Sequence, residues 1–207
     1  MWNGTTDQIE IVMIRHGKTK SNMEHRYLGK TEEGLSLEGI QELEERKQRG
    51  GYPPCDWIYG SPMKRCMETA ELLYGNQQMI QIPEWEEMDF GEFEGKNYED
   101  LKENAIYQNW IDHQGRLPFP GGECREDFVV RCEKGFQKVV KDVLEKTKER
   151  PVQRIGFVVH GGTIMALLSQ AFEGEYFDYQ VKNGEGYFCN ARWEGEQLKM
   201  IEKRKKE

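Results

Sequence analysis

Residues 154–172 read Arg154-Ile155-Gly156-Phe157-Val158-Val159-His160-Gly161-Gly162-Thr163-Ile164-Met165-Ala166-Leu167-Leu168-Ser169-Gln170-Ala171-Phe172, and from residue 155 onward they contain no Asp, Glu, Lys or Arg. The run falls short of the roughly 20 apolar residues of a membrane helix, and His-Gly-Gly interrupts it. Residues 154–159 read as a buried strand, 160–162 as a tight turn and 163–172 as the helix that follows. That sequence of elements is one unit of an α/β fold.

The same rhythm extends outward. The β-branched run at 9–14 reads as a central strand, 57–60 as a second and 79–82 as a weaker third, with short strands at 187–193 and 197–201. Ser61-Pro62 reads as a helix start, with Ser at N-cap, Pro at N1 and a buried stripe of Met63, Met67, Ala70 and Leu73. A second helix covers 36–49. The longest, 125–148, repeats Phe128, Cys132, Phe136, Val139 and Val143 at helical spacing. The basic residues 203–206 read as a solvated tail. Without internal repeats or a low-complexity linker, residues 1–207 are read as a single domain. Strands alternating with helices imply a three-layer α/β/α arrangement around a mostly parallel sheet covered on both faces.

Composition narrows the partners. Of 207 residues 37% are hydrophobic, and including the 22 Gly brings the fraction to the ~45–50% of globular chains, so disorder is excluded as the main state. The net charge of −8 repels nucleic acid and anionic membrane over most of the surface, so an anionic ligand must be captured locally. The five cysteines, at 55, 66, 124, 132 and 189, form no CxxC pair. They read as reduced, mostly buried thiols of a cytoplasmic protein. The run at 9–14 contains Glu10 and ends at Arg15, too short and polar for a signal peptide. Asn3-Gly4-Thr5 spells a glycosylation sequon that has no meaning without secretion. A homodimer is left open.

In parallel sheets ligands bind outside the carboxyl ends of the strands. Arg15-His16-Gly17 follows the first strand, residues 61–65 the second, Glu86-Glu87 the third and His160 the fourth, so four segments meet at one edge. Two His, two Arg and a carboxylic acid make a poor metal site, because Arg cannot ligate and no HExxH is present. They make a good phosphoryl site, since Arg forks stabilise charge on the equatorial oxygens. A neutral imidazole with one nitrogen held as donor offers the other as nucleophile. A Glu protonated through burial can supply the leaving alkoxide with its proton. No metal or other cofactor is called for. The absence of a Walker A run, and of a third Gly after Gly184-Glu185-Gly186, argues against a nucleotide kinase or dehydrogenase.

These residues carry a resemblance. Arg15-His16-Gly17-Lys18-Thr19-Lys20-Ser21-Asn22 resembles the RHGxTxxN signature of the histidine phosphatase (phosphoglycerate mutase-like) superfamily. Ser61-Pro62-Met63-Lys64-Arg65-Cys66-Met67-Glu68-Thr69-Ala70 resembles its SPxxRxxxTA helix. Glu87 to Gly91 with Glu94-Gly95 resembles its ExxxGxxEG segment, and His160-Gly161-Gly162 its second histidine turn. RHG alone is a weak signal; four blocks in family order are a strong one. The resemblance implies a phosphoglycerate mutase-like fold and the following roles: His16 as the nucleophile that becomes phosphohistidine, Arg15, Arg65 and His160 on the phosphoryl oxygens, and Glu87 as proton donor and later base. It also places Asn22 on the phosphoryl group. Glu86 and Asp89 are neighbours that could be confused with the acid, and the motif favours Glu87.

Among members, mutases resemble HGN where this chain has His160-Gly161-Gly162. Arg26 to Ser36 resembles the RYxGxTDxPLT run of α-ribazole phosphatases, and Pro120-Gly121-Gly122-Glu123-Cys124 their PGGES. The departures are Glu32-Glu33-Gly34 for Asp-x-Pro and Cys124 for Ser. The expected activity is hydrolysis of a small phosphorylated metabolite, with α-ribazole 5′-phosphate of cobalamin biosynthesis as a candidate. The alternatives are a broad-specificity phosphatase, a phosphoglycerate mutase, or a phosphate-binding regulatory module without turnover. Residues 96–127 read as a cap insertion whose Tyr98, Tyr107, Trp110 and Phe119 either stack on a flat substrate or pack the cap onto the domain.

Overall fold

The computed structural model describes residues 8–75 and 77–206, which leaves the sequon at Asn3 outside the described residues. In chain order the elements are β1 (Gln8–Arg15), α1 (Lys20–Met23), α2 (Leu37–Gln48), β2 (Trp57–Gly60), α3 (Lys64–Tyr74), β3 (Met79–Gln81), α4 (Tyr98–Leu101), α5 (Ala105–Asp112), α6 (Arg125–Glu149), β4 (Arg154–Val159), α7 (Gly161–Ala171), β5 (Gly186–Glu194) and β6 (Gln197–Lys206). Six strands form one sheet in the order β3-β2-β4-β1-β5-β6. The first four are mutually parallel, and β5 and β6 extend the sheet antiparallel.

The period-2 alternation of the strands explains the three layers. Ile9, Ile11 and Met13 of β1, Tyr59 of β2, and Ile155, Phe157 and Val159 of β4 join one core with the α6 stripe Phe128, Cys132, Phe136, Val139 and Val143. The opposite face offers Val12 and Ile14 to Leu43 of α2 and Leu73 of α3, and Ile58 and Val158 to Cys66 and Ala70 of α3. Each strand is thus buried on both sides, as the continuous apolar runs require.

Four readings are corrected. Residues 160–162 are not a separate turn: His160 is the N-cap of α7, and both glycines lie in its first turn. Ser61 does not cap α3, which begins at Lys64 with Met63 as N-cap, because the Ser61 hydroxyl is engaged by His160 instead. Met67 is 43% exposed, and Arg65, Cys66 and Thr69 share the buried face of α3 with Ala70 and Leu73. The basic residues 203–206 are no free tail but the end of β6, with Lys203 over the Phe172 ring, Arg204 over Phe188, and Arg204 paired with Glu10. Charged edge strands of this kind guard a sheet against pairing with another chain.

Candidate active site

The carboxyl ends of β1, β2 and β4 bring Arg15, His16, Ser61 and His160 to one edge of the sheet. The His16 and His160 rings meet edge to face, with centroids 5.2 Å apart. His16 is 3% exposed, and its Nδ1 lies 2.7 Å from the carbonyl of Gly17. A carbonyl only accepts, so Nδ1 carries the proton and Nε2 keeps its lone pair. Burial, reinforced by Arg65 and Arg15, holds this imidazole well below the usual histidine pKa, and therefore neutral at pH 7. The turn is pinned from two sides. Gly17 N–H donates to Thr69 Oγ1 at 3.0 Å, and Asn183 Nδ2 donates to the carbonyls of His16 and Gly17 at 3.0 and 3.3 Å.

His160 is fixed in the complementary way. Arg65 Nε can only donate, so Nδ1 of His160, 3.3 Å away, accepts, and Nε2–H donates to Ser61 Oγ at 2.8 Å. Burial and the same arginines hold His160 well below the ordinary value. Arg65 is fully buried in the first turn of α3. Its Nη1 donates to Thr31 O at 3.1 Å and its Nη2 to Gly29 O at 2.9 Å and Leu28 O at 3.4 Å. The loop it grips is also held by Glu94, whose carboxylate accepts from Gly29 N and Thr31 N.

Arg15 is left less satisfied. Its Nη1 donates to Val181 O at 2.8 Å, while its buried Nε has no hydrogen-bond partner. A Cβ on Gly161 would stand 3.4 Å from that Nε, so the bare first turn of α7 leaves open space in front of the guanidinium. Next to it, a Cβ on Gly162 would stand 2.4 Å from Glu87 Oε1, a contact no side chain could make without moving the carboxyl. Glu87 is 8% exposed, and burial raises its pKa against the opposing pull of Met88 N–H, Arg65 and Arg15. Arg131 holds its loop by donating to the carbonyls of Glu84, Glu86 and Glu87, while pairing with Glu123 at 2.8 Å.

A cavity of about 330 Å³ opens at this edge, with Arg15, Glu87, Gly161 and Gly162 in its lining. Its wall combines Tyr27, Phe90, Trp110 and Phe119, which contact one another through their rings, with Met165, Tyr176 and Phe177. Of the aromatics in residues 96–127, Trp110 and Phe119 face the cavity, Tyr107 is buried among Tyr27, Phe93 and Trp110, and Tyr98 is 56% exposed. Glu86 does not line the cavity, and Asp89 is paired with Lys30 at 2.6 Å. Asn22 lies beside Arg15 in a neighbouring groove; its Oδ1 accepts from Thr19 N and Asn183 Nδ2, leaving its Nδ2 to reach an anion. No group of three or more His, Cys, Asp or Glu among the described residues is arranged to hold a metal ion.

The sequence reading did not foresee the parts of Ser61, Thr69, Asn183 or Arg125. Ser61 and Thr69 stand inside a quoted motif, but their partners lie 99 and 52 residues away. Asn183 acts across 167 residues from a loop without local signal.

The profile of the histidine phosphatase superfamily (branch 1) matches residues 11–203. The chain is 28% identical over 163 residues to the adenosylcobalamin/α-ribazole phosphatase of Escherichia coli, covering 76% of each. It is also 28% identical over 167 residues to the metal-independent phosphoserine phosphatase of Arabidopsis thaliana, covering 76% of this chain and 66% of that one. Among solved structures, the α-ribazole phosphatase of Shigella flexneri superposes with a TM-score of 0.74 at 22% identity, covering 93% of this chain and 95% of that one.

Proposed function

This chain belongs to the histidine phosphatase superfamily, and from that premise we propose that it is a phosphomonoesterase acting through a phosphohistidine at His16. The observation that carries the reading is a buried Arg15 Nε without a partner, at the same edge as a neutral His16 whose Nε2 lone pair is free. An unmet buried donor is costly, and a phosphoryl oxygen satisfies it. In the first step Nε2 of His16 attacks phosphorus, the bond to the ester oxygen breaks, and Glu87 gives its proton to that oxygen as the alcohol leaves. Arg15 and Arg65 carry the charge on the equatorial oxygens, with His160 and Asn22 beside them. In the second step Glu87, now a carboxylate, takes a proton from water as the water oxygen attacks phosphorus. The nitrogen–phosphorus bond breaks, and His16 returns neutral.

For the substrate, the resemblance of residues 26–36 and 120–124 to α-ribazole phosphatases, together with the named relatives, supports α-ribazole 5′-phosphate, which would place the reaction in cobalamin biosynthesis. A broad-specificity phosphatase is the alternative. A phosphoglycerate mutase fits less well, since the side chain its HGN motif carries would fall where Gly162 leaves no room beside Glu87. A regulatory module without turnover would not need both a free Nε2 at His16 and a buried acid at Glu87. The test is phosphate release from p-nitrophenyl phosphate, α-ribazole 5′-phosphate, phosphoserine and phosphoglycerates, with and without EDTA. His16→Ala is expected to lower turnover by about 10⁴-fold or more. Undiminished turnover in that variant would refute the reading, and phosphoglycerate isomerisation faster than hydrolysis would favour the mutase.

A further inference from the structure

Two concavities flank the reacting edge, and they share Arg15, Tyr27, Gln180 and Val181. One is the cavity with the aromatic wall. The other is an open groove carrying Lys18, Arg26, Lys182 and Lys205, with Glu185 also in its lining. Charge alone would seat the whole of an anionic ester in the groove. The placement of the acid argues otherwise. A general acid must come within about 3 Å of the oxygen it protonates, or reach it through one water. In a displacement at phosphorus the leaving oxygen departs roughly in line with the nucleophile. Glu87 lines the aromatic cavity and not the groove, so the alcohol half of the ester belongs in the cavity.

We infer, on the phosphatase reading above, that the preferred substrate is the monoester of an alcohol with an apolar or aromatic body, selected by Trp110, Phe119 and Phe177, with the basic groove serving only the approach of the phosphate. The cavity is poorly equipped for a polyol or an amino acid. Its polar side chains besides Arg15 and Glu87 are Arg125 and Gln180, against Phe90, Met165 and the other rings. Hydroxyls buried there lose water without gaining partners. Arg125 is no open carboxylate clamp either. Its Nη2 donates to Gly115 O at 2.7 Å, and its guanidinium lies 5.3 Å from the Tyr176 ring and 5.1 Å from the Phe177 ring, which makes it a strut between two walls. In the groove, Lys18 is paired with Glu42, Arg26 with Asp100, and Lys205 donates to Gln180 O, so these cations are largely spoken for.

The test compares esters of aliphatic alcohols of similar acidity, so that leaving-group chemistry does not decide the outcome. The esters are 2-phenylethyl phosphate, glycerol 1-phosphate and 3-phosphoglycerate. The expected kcat/KM for 2-phenylethyl phosphate exceeds that for glycerol 1-phosphate by about tenfold or more, mainly through KM. Trp110→Ala should shrink that ratio by about fivefold, and so should Phe177→Ala at a 44% exposed position where folding is not at stake. Lys182→Ala should leave the ratio where it is. Equal or reversed preference in the wild type overturns the inference while leaving the phosphatase reading standing. A preference that depends on Lys182 overturns it too, by moving the alcohol to the groove. If no ester is hydrolysed and His16 takes no phosphoryl label, both fall together.

Discussion

On the α3 side of the site Arg65 is fully buried and donates to His160, Thr31, Gly29 and Leu28, whereas on the β1–α7 side Arg15 donates to Val181 and keeps a buried Nε unmet. The two guanidiniums carry the same charge but do different work before any ligand arrives. Arg65 is structural: it ties the loop at residues 28–31 to the second histidine, and removing it strands three carbonyls in a dry place. Arg15 is held short of satisfaction, and what completes it must come from outside.

This contrast predicts that Arg65→Ala has the largest effect. It should lower kcat/KM by about 10³-fold and also destabilise the fold by about 3 kcal/mol or more in urea unfolding, since orphaned buried acceptors add to the cavity left behind. Arg15→Ala should lower kcat/KM by about 10²–10³-fold while changing unfolding stability by no more than about 1 kcal/mol, because the deletion also removes an unmet donor. If Arg15→Ala proves the more destabilising of the two, the comparison is wrong.

The glycines of α7 sharpen the contrast on a finer scale. Gly162→Ala presses on Glu87 Oε1 at 2.4 Å and on Phe128 at 3.1 Å, whereas the nearest approach at Gly161, 3.4 Å to Arg15 Nε, is ordinary contact. Gly162→Ala should therefore cost about tenfold in kcat on aliphatic esters and less on p-nitrophenyl phosphate, whose leaving group scarcely needs a proton. Gly161→Ala should cost less than Gly162→Ala on the aliphatic esters. Steady-state kinetics on both ester types decides it; equal losses on both would mean that the acid has not moved.

Much of this was legible in the residues themselves. Each strand of the parallel half announced itself through a β-branched run, and Arg15, His16, Arg65, Glu87 and His160 followed from their places after strands and in motifs. What stayed hidden depended on partners far along the chain. Met67 and Cys66 are adjacent and both fit a helical stripe, and only the position of Val158 across the sheet decides that Cys66 is the one inside. The lysines near the end of the chain read as solvated because a charge run usually is, yet Phe172 and Phe188 give Lys203 and Arg204 rings to lie on. Ser61 read as a cap for the same local reason, and the distant His160 claimed its hydroxyl. The opposed states of Arg15 and Arg65 had no sequence signal, since both are arginines following a strand.

The smallest effects are in pH dependence, and they follow from the direction of each shift. Burial, then Arg65 and Arg15, hold His16 below its ordinary 6.5, so between its lowered value and 6.5 the unfolded chain binds more protons than the native one. His160 behaves likewise. The histidine contribution to stability is complete above about 6.5 and is lost as the pH falls toward their native values. Glu87 has the opposite sign: burial raises it, so its contribution is present below the ordinary 4.5 and is lost as the pH rises through its native value. In kinetics, protonation of His16 sets the acid limb of kcat/KM, and deprotonation of Glu87 sets the alkaline limb. Arg15 depresses both groups, so Arg15→Ala should move both limbs upward together. Arg65→Ala should do the same if enough folded protein survives to be assayed. A pH profile of Arg15→Ala whose limbs coincide with those of the wild type would mean that Arg15 acts on the ligand alone and does not tune the two groups beside it.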